Sequence, residues 1–225
     1  MHLLPIINFP DPDLSDDPDG LICVSEEIFL NPRNLIKAYY KGIFPWMIDG
    51  YEFVPWFCPP KRAILIFDEL HVPRSLRKAW KRSKFTYTID KSFAEVMRAC
   101  AVVKRKGQEG TWITKKLYES FVELHQMGYA HSVEVWDENG KLVGGLYGVD
   151  AGGVFSGESM FHYETNASKL AFLFLVERLK EKGASWLDIQ VMSSHFRILG
   201  AREVKREKFL QMLREAQQKG IKLFD

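Results

Sequence analysis

Cysteine is scarce in this chain. Cys23, Cys58 and Cys100 are odd in number and far apart, with no Cys-x-x-Cys spacing, so neither a disulfide framework nor a zinc cluster is expected. The six histidines form no His-Glu-x-x-His pattern either, and no metal is expected. Long apolar runs are missing: nothing approaches the ~20 residues of a membrane span. The opening segment, Met1 to Pro10, lacks the basic start and long apolar stretch of a signal peptide. A cytoplasmic protein without a membrane partner is therefore expected. Internal repeats and low-complexity segments are absent as well.

What is present is a globular composition. The 225 residues are 46% hydrophobic and 27% charged, which supports a real core and argues against disorder. Net charge is only +2, but it is unevenly spread. The first 20 residues hold five aspartates (Asp11, Asp13, Asp16, Asp17, Asp19) and no Lys or Arg. Between Lys61 and Lys84, eight basic residues face only Asp68 and Glu69. Such asymmetry points to a local polyanion site.

Along the chain, Asn31-Pro32 reads as an N-cap with proline at the first helical position, and Gly42 as the terminating glycine, which predicts a helix over 32–41. An aromatic and proline-rich stretch follows, Gly42 to Trp46 and Val54 to Arg62. It cannot form a long regular element and marks a seam after a small N-terminal domain. A strand is expected over 63–67 and a helix over 73–84. On that helix Arg74, Lys78, Lys81 and Arg82 share one side, and Leu76, Ala79 and Trp80 the other. Two more helices are expected, from an Asp90 N-cap to about 101 and over 114–127. Strands are expected over 131–136, 142–149 and 154–161, separated by the turns Asp137-Glu138-Asn139-Gly140 and Ala151-Gly152-Gly153. A helix over 166–183, a strand over 186–192 and a helix over 205–220 complete an α+β layer.

The strand at 186–192 carries the sharpest chemical signal. Alternation puts Leu187, Ile189 and Val191 on one face, and Asp188 and Gln190 side by side on the other. A buried carboxylate beside an amide must find partners or face a cleft, although a solvent-facing polar pair fits the periodicity equally. Glu158 sits in a strand of apolar and small neighbours, where burial demands a cation or hydrogen bonds. The one-sign face at Arg74 to Arg82 suits a phosphate backbone, and Trp46, Trp56 and Trp112 offer rings for base stacking or for plain packing.

Six motifs carry a resemblance: Gly42-Ile43-Phe44-Pro45-Trp46, Gly110-Thr111-Trp112-Ile113, His131-Ser132-Val133-Glu134-Val135-Trp136, Gly144-Gly145-Leu146-Tyr147-Gly148-Val149, Phe155-Ser156-Gly157-Glu158-Ser159-Met160-Phe161 and Asn166-Ala167-Ser168-Lys169. In order and spacing, from about residue 19 to 200, they resemble the leucyl/phenylalanyl-tRNA–protein transferase family. That resemblance implies a small N-terminal domain (residues 1–62) and an acetyltransferase-like core (residues 63–225). It implies transfer of leucine, phenylalanine or methionine from charged tRNA to proteins beginning with Arg or Lys, a degradation tag of the N-end rule, by a monomer without cofactor. It carries catalytic positions onto Asp188, Gln190 and Glu158, with Asp188 polarising the Gln190 amide and Glu158 placed to bind the cationic acceptor. Trp46 and Trp112 match positions beside the terminal adenosine. Leu146, Phe155, Phe172, Leu175 and Leu187, with Met160 from the Glu158 motif, match the substrate pocket. Lys61, Arg62, Arg74, Lys78, Lys81 and Arg82 would hold the tRNA.

The chain departs from the pattern in places. It has Cys23-Val24-Ser25-Glu26 for a glycine-rich turn, leucine at 146 for the usual methionine, and Met192-Ser193-Ser194-His195 for an Asn-Asp-His-like run. Two other classes fit the residues less well. An acetyl-coenzyme A enzyme lacks its pyrophosphate turn between Phe161 and Leu170, and a non-catalytic RNA-binding module leaves Asp188, Gln190 and Glu158 without a reason.

Overall fold

The computed structural model describes residues 4–48, 51–103 and 112–224. It is a mixed α/β protein built on two sheets, one of three strands and one of seven. The small sheet, in order β1-β3-β2, comes from the N-terminal part: β1 (Leu21–Glu26), β2 (Phe44–Pro45) and β3 (Phe53–Phe57). Helix α1 (Pro32–Tyr40) opens on the expected cap, the Asn31 side chain accepting from the Asn34 backbone N–H. Its buried face, Leu35, Ala38 and Tyr39, repeats at helical spacing and lies against α4 and β7.

The large sheet runs β10-β4-β9-β8-β7-β6-β5. Its strands are β4 (Lys61–Ile66), β5 (Thr86–Ile89), β6 (Ala130–Trp136), β7 (Leu142–Asp150), β8 (Phe155–His162), β9 (Trp186–Gln190) and β10 (Arg202–Lys205). The boundary expected at residues 62 and 63 falls inside β4. One face of the sheet carries α3 (Phe93–Val102), α4 (Lys115–Gln126), α7 (Arg206–Lys219) and the N-terminal part, all in one core. The other face carries α2 (Arg74–Arg82), α5 (Ala167–Glu181) and α6 (Ser194–Ile198). An extra residue in β7 at Val143, opposite Val135 and Trp136, shifts the alternation between the two cores. At Gly144 a Cβ would stand 2.5 Å from that of Ala167, so glycine there lets α5 come down onto the sheet.

All strand pairs are antiparallel except β8 with β9, which the α5 crossover makes parallel. That pair is in register at one position, Ser156 opposite Asp188, whereas β7 follows β8 along its length. Two residues further on, Glu158 comes beside Gln190 on the same face.

Several expectations needed correction. Asp90 does not cap α3. It takes a left-handed φ of 59° and accepts from the Ser132 backbone, while Ser92 precedes the helix. Strand β9 stops at Gln190, whose own φ of 65° turns the chain away, so Val191 and Met192 lie outside it. No helix among the described residues is long and apolar enough to cross a membrane.

Candidate active site

Asp188 lies at the centre of a buried cluster. Its Oδ1 accepts from Arg62 Nε and the Gln190 backbone N–H, each at 2.8 Å. Its Oδ2 accepts from Arg62 Nη2 and Ser156 Oγ, each at 2.7 Å. Both partners of the ion pair are sealed from solvent, at 1% and 3% side-chain exposure. The Arg62 guanidinium is further sandwiched between the rings of Phe44 and Phe209, 4.5 and 4.6 Å away. With four donors on one carboxylate, the cost of burying its charge is met.

Two expectations fail here. Arg62 does not sit on the tRNA-binding face expected for it: alternation along β4 turns it inward to Asp188, while its neighbour Lys61 stays exposed. Asp188 was to polarise the Gln190 amide, but it takes the backbone N–H of that residue. The left-handed turn at Gln190 carries its amide to Glu158 instead.

Glu158, half-buried on β8, accepts at Oε1 from Gln190 Nε2 and from the Tyr39 hydroxyl, both at 2.5 Å. Gln190 Nε2 also reaches Ser156 Oγ at 3.3 Å, tying the two carboxylates into one network. Burial pushes the Glu158 carboxyl up to about 7, although the bonds from Tyr39 and Gln190 oppose the rise. Burial and then the Glu158 charge push the Tyr39 phenol well above its usual value, which keeps it a donor. Tyr39 arrives from α1, 119 positions before its partner in the chain. Nothing marked it in the sequence beyond its place on the buried face of that helix. Ser156 was likewise missed, because only the β8–β9 register sets it against Asp188.

A cavity of about 460 Å³ opens beside this network. Its walls bring together Leu146 of β7, Phe155, Glu158 and Met160 of β8, Phe172 and Leu175 of α5, and Leu187 and Asp188 of β9. The residues after β9 add Ser193, His195 and Phe196. The His195 Nε2 is buried without a hydrogen-bond partner among the described residues, and burial followed by Lys169 pushes its imidazole down. Six apolar residues expected in a substrate pocket thus meet at one chamber. Trp46 and Trp112 do not line it: Trp46 stands 43% exposed against Phe44 and Phe57, and Trp112 packs on the core across the sheet. Gly110 and Thr111 of that motif lie outside the described residues.

Arg74, Lys78, Lys81 and Arg82 are all exposed on α2, with no carboxylate in ion-pair range among the described residues. Leu76 and the stack Trp80–Tyr87–Phe174 hold that helix to α5, on the same side of the sheet as the apolar wall of the cavity. Among the described residues no cluster of His, Cys, Asp and Glu could hold a metal ion.

An apolar chamber with ionisable groups gathered at its wall has the form of a substrate site, and the chain's likenesses are to transferases. The profile of the family described as leucyl/phenylalanyl-tRNA protein transferase matches residues 64–214, and that of its N-terminal domain matches residues 30–60. The leucyl/phenylalanyl-tRNA–protein transferase of Maridesulfovibrio salexigens is 47% identical over 208 residues, covering 92% of this chain and 85% of its own. The one from Syntrophus aciditrophicus is 46% identical over 211 residues, 94% of this chain and 86% of its own. The one from Flavobacterium johnsoniae is 44% identical over 213 residues, 95% and 98%. The chain belongs to the leucyl/phenylalanyl-tRNA–protein transferase family.

Proposed function

We propose that this chain moves an amino acid from a charged tRNA onto the N-terminal amine of a protein, with leucine, phenylalanine or methionine as cargo and Arg or Lys as the acceptor residue. The product would be a degradation signal of the N-end rule. The observation that carries the reading is the apolar chamber ending against the Glu158–Gln190–Asp188 network. Leu146, Phe155, Met160, Phe172, Leu175 and Leu187 would take the transferred side chain. Such a pocket separates side chains of similar size by only ~1–3 kcal/mol per methylene, which suits a small set of related cargoes. Glu158 would meet the cationic acceptor, and its half-open carboxylate supports that role.

The ester of the charged tRNA carries the activation, so the protein's task is positioning and charge stabilisation, with no cofactor. Arg62 and Asp188 would act by holding Gln190 and Ser156 rigid around Glu158, as positioning residues. The basic face of α2, joined by Lys61, would hold the acceptor stem through its phosphates without reading sequence. Trp46 and Trp112 would then act outside the chamber, along the path of the terminal nucleotides. We read the core as acetyltransferase-like, the β8–α5–β9 crossover with its single registered pair supporting that reading. Residues 1–62 would form the small domain, and the enzyme would work as a cytoplasmic monomer.

The test is to mix the protein with leucyl-tRNA and a peptide beginning with arginine, and to follow leucine transfer by mass spectrometry. Other charged tRNAs and peptides beginning with Asp or Glu run in parallel. Leucine on the arginine peptide is expected. Transfer confined to another pairing would keep the reaction and overturn the specificity, and none in any pairing would overturn the reading.

A further inference from the structure

When an amine displaces an ester oxygen, the nitrogen must lose a proton, so some group at the site has to accept it. Asp188 is unsuited, because both its oxygens are filled by four donors and its charge is matched by Arg62. Gln190 is unsuited too: a neutral amide is a very weak base, and its nitrogen is turned to Glu158. Glu158 differs from both. Its Oε1 is held by Tyr39 and Gln190, while Oε2 has no hydrogen-bond partner among the described residues. No Lys or Arg among the described residues lies in ion-pair range of it.

Resting on the transfer reaction proposed above, we propose that Glu158 takes the proton of the attacking amine, and that Tyr39 is the positioning residue that commits Oε1 and leaves Oε2 to the substrate. In the step, the amine lone pair forms the N–C bond to the ester carbonyl carbon and the nitrogen's proton passes to Glu158 Oε2. The carbonyl re-forms as the C–O bond to the ribose breaks, and the ribose oxygen leaves with that proton. Glu158 returns to the carboxylate, and nothing is oxidised or reduced. The N-terminal part of the chain thereby supplies a working piece of the site, through one phenol from α1.

The groups that act on Glu158 come from every side. Burial opposes its ionised form most, Tyr39 of α1 and Gln190 of β9 favour it, Asp188 of β9 opposes it and Arg62 of β4 favours it. Tyr147 of β7 bears on Tyr39, and His195 shares the cavity wall. With its carboxyl raised to about 7, Glu158 stands within about a unit of a protein α-amine near 8, so a proton moves between them at little cost.

Tyr39→Phe tests this while keeping the ring that packs edge-on against Phe121. Single-turnover transfer of leucine to the arginine peptide is measured from pH about 5.5 to about 8.5, beside wild type, Glu158→Gln and Glu158→Asp, with thermal melts to check folding. Loss of the phenol donor removes an influence that lowers the Glu158 carboxyl, so the acidic limb of the profile moves to higher pH in Tyr39→Phe. Glu158→Gln is expected to lose the limb near 7 and at least about 100-fold in kcat, with Glu158→Asp recovering part of the rate. Unchanged kcat with a raised peptide KM in Glu158→Gln would reduce Glu158 to a counterion and overturn the proposal. An unmoved limb in a folded Tyr39→Phe protein would overturn the role of Tyr39. A wild-type protein that transfers nothing from any charged tRNA defeats the reaction itself, which sets that failure apart from these.

Discussion

Glu134 and Glu158 lie in β6 and β8, on either side of β7, and both carboxylates leave bulk water, yet their surroundings differ in kind. Glu134 is fully buried and its two oxygens accept from Thr88 Oγ1, Ser132 Oγ and the backbone N–H groups of Lys91 and Ser92. It closes the approach to α3 and has nothing left to offer a substrate. Glu158 receives two donors on one oxygen and faces a cavity. Burial is common to both, so burial alone does not make a site. What separates them is acceptor capacity left unfilled beside open space.

The comparison can be broken first at the support of Glu158. Arg62→Ala leaves the Asp188 charge buried and unpaired, so a loss of about 3–5 kcal/mol is expected in chemical denaturation. A loss under about 1 kcal/mol would mean the cluster is wetter than its exposure indicates. Next comes Glu134→Ala, which strands two hydroxyls and two backbone amides and should cost about 1–3 kcal/mol. Transfer per folded molecule should stay near wild type, and a selective loss of activity there would erase the distinction drawn between the two glutamates.

Glu158→Gln sharpens the contrast through pH. The folded protein lifts this carboxyl from 4.5 to about 7, so its contribution to stability is whole at low pH and is lost as pH rises through 7. The Gln variant should therefore melt above wild type at pH about 8, with the gap closing as pH falls towards about 4.5. A gap of the opposite sign would show a carboxylate stabilised by its neighbours. The smallest effect belongs to the exposed face of α2. Lys78→Gln should weaken tRNA binding several-fold and reduce the slope of log affinity against log salt by about 0.7–0.9, read by filter binding over a salt series.

Local signals served well where one element decided them. Asn31-Pro32 capped the helix it promised, the helix expected over 114–127 formed as α4, and the alternating strands β6 to β8 ran close to their expected spans. Strand β10 escaped notice because Arg202, Glu203 and Lys205 give an exposed edge no apolar alternation. Strands β2 and β3 of the small sheet hid inside a proline and aromatic stretch that has no period of its own. Arg62 was misread for a related reason: its charge suggested solvent and phosphate, whereas Asp188 lies 126 positions away and only sheet pairing brings it near.

The sequence by itself determined the family, the order of the main elements, and the placing of Asp188, Gln190 and Glu158 on polar faces of apolar strands, because each follows from local pattern. Only the tertiary structure decided which of these carboxylates is saturated and which is open. That depends on Arg62, Ser156 and Tyr39 arriving from three separate elements. Hydrogen bonds count partners in space, and a chain read in one dimension holds no record of distances between positions far apart along it.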